Sequence, residues 1–123
     1  MRLLGLWGPV VAWMGVLFFA SAQTFPGGGP SIPDWLTHGT AYAILGGLAC
    51  RALAGGLGRP LTLGQALLAV TLSTGYGITD ELHQRYVPNR HADPWDVVKD
   101  FGGAVAGSAA SLALGRRRPE EAA

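Results

Sequence analysis

Uncharged stretches of bilayer length alternate with short polar connections along this chain. Leu3 to Pro33 carries no charge, and LLGLWGPVVAWMGVLFFASA within it supplies about the 20 apolar residues that cross roughly 30 Å of hydrocarbon as a helix. Pro60 to Thr79 is again free of charge, so LTLGQALLAVTLSTGYGIT reads as another clear span, its glycines tolerated in membrane helices. Between them, DWLTHGTAYAILGGLACRALAGGL is uncharged over residues 35–50, and Arg51 can extend its head to the interface. The last segment, PWDVVKDFGGAVAGSAASLALG, spans when Asp96, Lys99 and Asp100 occupy its first turns, near one surface and facing other helices. The pattern predicts an all-α protein: an integral membrane bundle of four transmembrane helices at about 3–22, 34–57, 61–85 and 94–115, in a single domain 1–123.

Turn residues support this division. FPGGGPSIP stops one helix and restarts the next, with Asp34 as its N-cap. LGRP at 57–60 ends the second helix and places Pro60 at the start of the third. When four spans alternate, Arg2, Arg51, Arg59 and the Arg116 to Arg118 cluster share one side, which the positive-inside rule makes cytoplasmic together with both termini. The charged 79–100 segment then lies outside. The first span, ending in Ala20-Ser21-Ala22, also fits a cleaved secretory signal; its apolar length, beyond the ~7–15 residues usual there, favours retention.

Composition changes the picture at one place. The chain has 123 residues, a net charge of +1 and a single cysteine, Cys50, set in an apolar run. An internal disulfide or cysteine-rich metal site is thereby excluded, and the dispersed basic residues give no footprint for nucleic acid. TDELHQRYVPNRHADPWDVVKD, residues 79–100, gathers Asp80, Glu81, Arg85, Arg90, Asp93, Asp96, Lys99 and Asp100 with His83 and His91.

Helical spacing shows where these groups point. Asp34, His38 and Tyr42 form one stripe at the outer end of the second span. Glu81 and Gln84 lie together in the third, with Gly77 one turn below, while Asp80 and His83 share a neighbouring face. In the fourth, Asp93, Asp96 and Asp100 align, and Gly103 and Gly107 continue that direction as a small-xxx-small ridge that admits another helix. These residues line one polar chamber at the outer membrane face. Arg85 is expected to anchor at the interface or pair with Glu81, and Trp35, Tyr86 and Trp95 to form an aromatic belt. Arg90 with Glu81 could hold a phosphate, carboxylate or sugar headgroup. His38, Glu81, His83 and His91 do not match a recognised ligand spacing, so no metal and no cofactor are assigned.

The same residues resemble the VanZ-like family of small bacterial membrane proteins. LFFASAQTFPG resembles the end of the family's first helix with its Ser-x-Gln, and DWLTHGTAYAILGGL its Asp-Lys-x-x-His-x-x-x-Tyr segment. YGITDELHQRYVPNRHADPWDVVKDFGGAVAG is similar to its Asp-Glu-x-x-Gln, Val-Pro-x-Arg and Asp-Val block before a glycine-rich helix. The match covers nearly the whole chain and marks Asp34, His38, Tyr42, Asp80, Glu81, Gln84, Arg90, Asp96, Gly103 and Gly107. Trp35 stands where the family often has Lys, removing a positive charge beside His38, and Asn89 stands where Gly is usual.

The family is named for a protein associated with resistance to the glycopeptide teicoplanin, which acts at the cell wall. The resemblance implies a multi-pass cell-membrane protein connected with the envelope, whose partners are membrane lipid and a lipid-linked envelope precursor or glycopeptide-related ligand. Three functions stay open: binding of such a component, with Arg90 on its anion; an intramembrane hydrolase or transferase acting on it, with Glu81 or Asp96 as base; and a structural or partner-binding role in which the charges only lock helices.

Overall fold

The protein is described by a computed structural model, which covers residues 1–23, 32–88 and 92–116. These residues form four helices and no strand: α1 (Arg2–Ser21), α2 (Asp34–Ala54), α3 (Leu63–Gln84) and α4 (Pro94–Arg116). At 1.5 Å per residue each is about 30–35 Å long. Two of them, α1 and Pro94–Gly115 of α4, are also apolar enough to cross a membrane. The third helix was expected to be a clear span, but Gln65 and a scatter of Thr, Ser and Gly dilute its leucines below that level.

Local chemistry sets the helix ends and moves two of them by two or three residues from their expected places. The second helix stops at Ala54 rather than 57, because Gly55 turns left-handed at φ 89°. The Gly55 and Gly56 amides then donate to the Ala52 and Arg51 carbonyls, a Schellman closure. The third begins at Leu63, not at Pro60 or 61, since Thr62 and Gln65 form a reciprocal capping box with bonds of 3.1 and 2.9 Å. Asp34 is the first residue of α2 rather than its cap, and its carboxylate is used elsewhere. Asp93 lies just outside α4 instead of on its face; its carboxylate accepts the Trp95 amide at 3.0 Å, ahead of Pro94 at the favoured first position.

The helices alternate in direction, and α2 packs most extensively against α4. Their backbones touch there. A Cβ on Gly103 would lie 2.3 Å from the Gly39 carbonyl oxygen, and one on Gly107 would lie 2.1 Å from that of Ala43. Gly46 returns the relation, its Cβ position lying 2.9 Å from the Ala104 oxygen. The expected glycine ridge therefore has α2 as its partner.

The first helix is held by side chains that seek its backbone. Pro9 has no amide to offer the Gly5 carbonyl, and Arg51 supplies the missing donor at 3.1 Å. Tyr76 donates to the Met14 carbonyl at 2.5 Å, and Trp13 donates to the Ala41 carbonyl at 2.9 Å. Trp7 and Trp13 pack beside Val10, Leu17, Tyr42 and Leu45. Elsewhere the interior is made of small residues, including Ala49, Cys50, Ala66, Ala69, Ser73, Ala104 and Ser108, while Leu3, Phe19, Leu63, Leu67, Leu72 and Phe101 stand exposed.

Gly107→Val is expected to lower stability by at least about 1–3 kcal/mol through overpacking. Gly75→Ala, where nothing lies within 4 Å, should be neutral or gain up to about 1 kcal/mol. Thermal unfolding of the two variants in the same detergent checks the contrast.

Candidate functional site

The ends of α1 and α3 and the beginnings of α2 and α4 meet at one end of the bundle. His38, one turn into α2, directs Nδ1 to Asp100 Oδ1 at 2.8 Å. Its Nε2 lies 3.5 Å from Asp34 Oδ1 and 4.0 Å from Asp96 Oδ1. Lys99 closes the circuit by donating to Asp34 and, at 3.1 Å, to Asp96. Helices α2 and α4 are thus joined by three carboxylates, an imidazole and an ammonium.

Asp100 is the buried member, its side chain only 3 % exposed. Gly77 of α3 makes room for it: a Cβ there would meet Asp100 Oδ2 at 2.8 Å and Tyr42 Cε1 at 3.3 Å. Tyr42 is itself buried, with no hydrogen-bond partner for its hydroxyl among the described residues. Deep inside the bundle an unbonded hydroxyl is an uncommon expense, since such groups normally find an acceptor. The hydroxyl therefore marks unfilled hydrogen-bonding capacity beside Asp100.

The third helix contributes along two faces. Asp80 accepts a bond from Ser21 Oγ at 2.6 Å, tying α1 to α3. His83 faces the same neighbour and stacks on Phe18, with ring centroids 4.2 Å apart. On the other face Gly77, Glu81 and Gln84 are all buried. Glu81 accepts the Asp93 amide, fixing the entry to α4. Among the described residues no ion pair joins Glu81 to Arg85, which is exposed.

The structure thus places Asp34, His38, Tyr42, Gly77, Asp80, Glu81, Gln84, Asp96 and Asp100 at one end, with Gly103 just below. Arg90, Asn89 and His91 lie outside the described residues. Two members were missed as site residues. Lys99 was expected in the first turns of the fourth span without a role in the site, although its position three residues after Asp96 already put the two on one face. It supplies Asp34 with the positive charge that Trp35 does not. Ser21 belongs to the Ser-x-Gln stretch that carries the resemblance, but helical spacing gave it no place among the site residues.

Chemically the described cluster is rich in acceptors. Asp34, Asp80, Glu81, Asp96 and Asp100 face one ammonium and one imidazole, a setting that favours ligand groups with hydroxyl or ammonium donors. Asp34, His38 and Asp96 also offer ligand atoms within 4.8 Å of one another, the spacing of a cation seat. The Lys99 ammonium already bonds both of its carboxylates. A shallow groove of about 380 Å³ runs down from the cluster between α2 and α4, lined by Trp35, Leu36, Gly39, Ala43, Lys99 and Gly102 among others. Trp35, Tyr86 and Trp95 are exposed around the same end.

No protein-family model, curated protein or solved structure matches the chain.

His38→Ala and Asp100→Ala should each destabilise the protein by about 1.5–3 kcal/mol, as expected for a charge-assisted bond. The double variant should cost less than their sum by at least about 0.5 kcal/mol. Equilibrium unfolding of the four proteins in one detergent measures the coupling; strict additivity would mean that the two side chains act separately.

Proposed function

We propose that the chain is a four-span cell-membrane protein of the VanZ-like type that binds a lipid-linked envelope component at its polar end. Support for the membrane reading comes from its inverted surface: alanines, serines and glycines fill the contacts between helices, while large apolar side chains face outward along all four. That distribution suits lipid, where close packing rather than apolar burial joins helices. The basic residues Arg2 and Arg59 approach Gly55 at the opposite end, the arrangement the positive-inside rule associates with a cytoplasmic face. The polar cluster is then extracytoplasmic.

The observation that carries the binding role is the continuity of the apolar groove with the charged cluster. An acyl or isoprenyl chain would lie along Gly39, Ala43 and Gly102, and its headgroup would reach Asp34, His38, Asp96 and Lys99. Carboxylates would accept from hydroxyl or amino groups, and Lys99 would approach an anionic oxygen. The family resemblance ties such a ligand to the cell wall and to teicoplanin.

A second reading, a hydrolase or transferase on the same ligand, is favoured by one feature. Asp100 holds His38 through Nδ1 and turns Nε2 toward the outer carboxylates, the orientation of a supported general base. Turnover of a lipid-linked substrate abolished by His38→Gln would establish it over simple binding.

The binding role is tested in a glycopeptide-sensitive bacterial host expressing wild type, Asp96→Asn or Gly102→Leu at matched membrane levels. Gly102 has open space around it, so leucine would fill the groove without entering the core. Wild type should raise the inhibitory concentration of teicoplanin at least about fourfold, some 0.8 kcal/mol in binding terms, and either variant should remove that protection. Protection unchanged by both variants would contradict the assignment of the site.

A further inference from the structure

The other end of the bundle holds a second polar feature that the reading above does not use. A cavity of about 180 Å³ opens between the end of α2, the 55–59 turn and the end of α4. Its walls include Cys50, Arg51, Leu57, Arg59, Leu61 and Leu114. The turn is compact because Gly55, Gly56 and Gly58 take φ values of 89°, 137° and 76°, conformations that side chains with a Cβ rarely adopt. It folds Arg59 back so that Nε lies 3.6 Å, and Arg2 Nη2 3.3 Å, from the Cβ position of Gly55. Three guanidinium groups are thereby drawn to one corner.

Their charge is not consumed there. Among the described residues no carboxylate pairs with Arg2, Arg51 or Arg59. Arg51 commits Nη1 to the α1 carbonyls of Gly5 and Leu6, and the residue also lines the cavity. Three of the carbonyls at the end of α2, which would repel an anion, accept donors of their own: Gly55, Gly56 and the Gln65 side chain donate to Ala52, Arg51 and Leu53. The remaining wall is apolar, and Leu57 and Leu114 stand 83 % and 63 % exposed beside it. Guanidinium groups recognise phosphate oxygens through paired, directional bonds.

We infer that this cavity is a binding site for the phosphate of an anionic phospholipid, with Arg51 and Arg59 on the phosphate and an acyl chain leaving past Leu57 and Leu114. The apolar rim selects a lipid headgroup over free phosphate. The inference rests on the membrane reading proposed above but on no feature of the opposite polar cluster.

The test is native mass spectrometry of the purified full chain released from detergent, titrated with phosphatidylglycerol or phosphatidylcholine. The proteins are wild type and Arg59→Gln, whose side chain makes no hydrogen bond within the described fold. Wild type should retain one phosphatidylglycerol about tenfold more tightly than phosphatidylcholine, and Arg59→Gln should lose about that factor, the worth of one charge-assisted bond. Millimolar inorganic phosphate should not displace the lipid. Equal binding of both lipids, indifference to Arg59→Gln, or complete displacement by phosphate would each overturn the inference, the last assigning the pocket to the free ion. Carbonate extraction of the host membranes separates the two claims: release of the protein would remove the membrane reading, whereas retention with an indifferent Arg59→Gln would remove only the lipid site.

Discussion

Everything at the polar end depends on how closely α2 and α4 approach. Gly103 and Gly107 bring the two backbones into contact at Gly39 and Ala43. His38 immediately precedes the first of these contacts, and Asp100 lies one turn before its partner glycine. The 2.8 Å bond between them is therefore set by the glycine contact rather than by the flexibility of either side chain. Widening that contact by a methyl group would separate His38 from Asp100 and loosen Asp34 from Lys99. Gly77 acts in the same sense from α3, leaving a space into which the Asp100 carboxylate fits.

Much of this arrangement was legible because membrane-like helices have few polar residues to place. The stripe Asp34, His38 and Tyr42 and the row Gly77, Glu81 and Gln84 follow directly from helical spacing; the row is buried, while the stripe runs from an exposed Asp34 through a partly exposed His38 to a buried Tyr42. The glycine ridge on α4 was equally plain, although spacing alone did not name Gly39 and Ala43 as what it meets. The failures have local causes. Helix ends shifted where a left-handed glycine or a capping box outweighed the proline expected to mark the boundary. Arg85 and Glu81 satisfied the spacing rule for an ion pair, yet Arg85 stands exposed while Glu81 accepts a backbone amide. Lys99 was undervalued because its decisive partner, Asp34, is remote in sequence.

The two ends of the bundle are chemically opposite. One carries carboxylates arranged about an imidazole and a lysine; the other carries arginines without described acidic partners. Between them lies an interior of small residues and a surface of large apolar ones, so the polar ends are joined by a stiff, tightly packed body. Arg51 links the themes: it repairs the carbonyl that Pro9 leaves without a donor and also lines the cavity of the basic corner. In a bilayer this polarity would fix the orientation of the molecule and hold the acceptor-rich cluster at the outer interface.

Cysteine labelling of intact cells addresses that central claim most directly. In a background with Cys50 replaced by alanine, Tyr86→Cys and Leu57→Cys would each be exposed to a membrane-impermeant maleimide. The native side chains are 86 % and 83 % exposed at opposite ends of the bundle. The account predicts that position 86 reacts in intact cells and position 57 only after lysis. Reaction of both in intact cells, of neither after lysis, or of position 57 alone before lysis would contradict an outward-facing polar cluster on a four-span bundle.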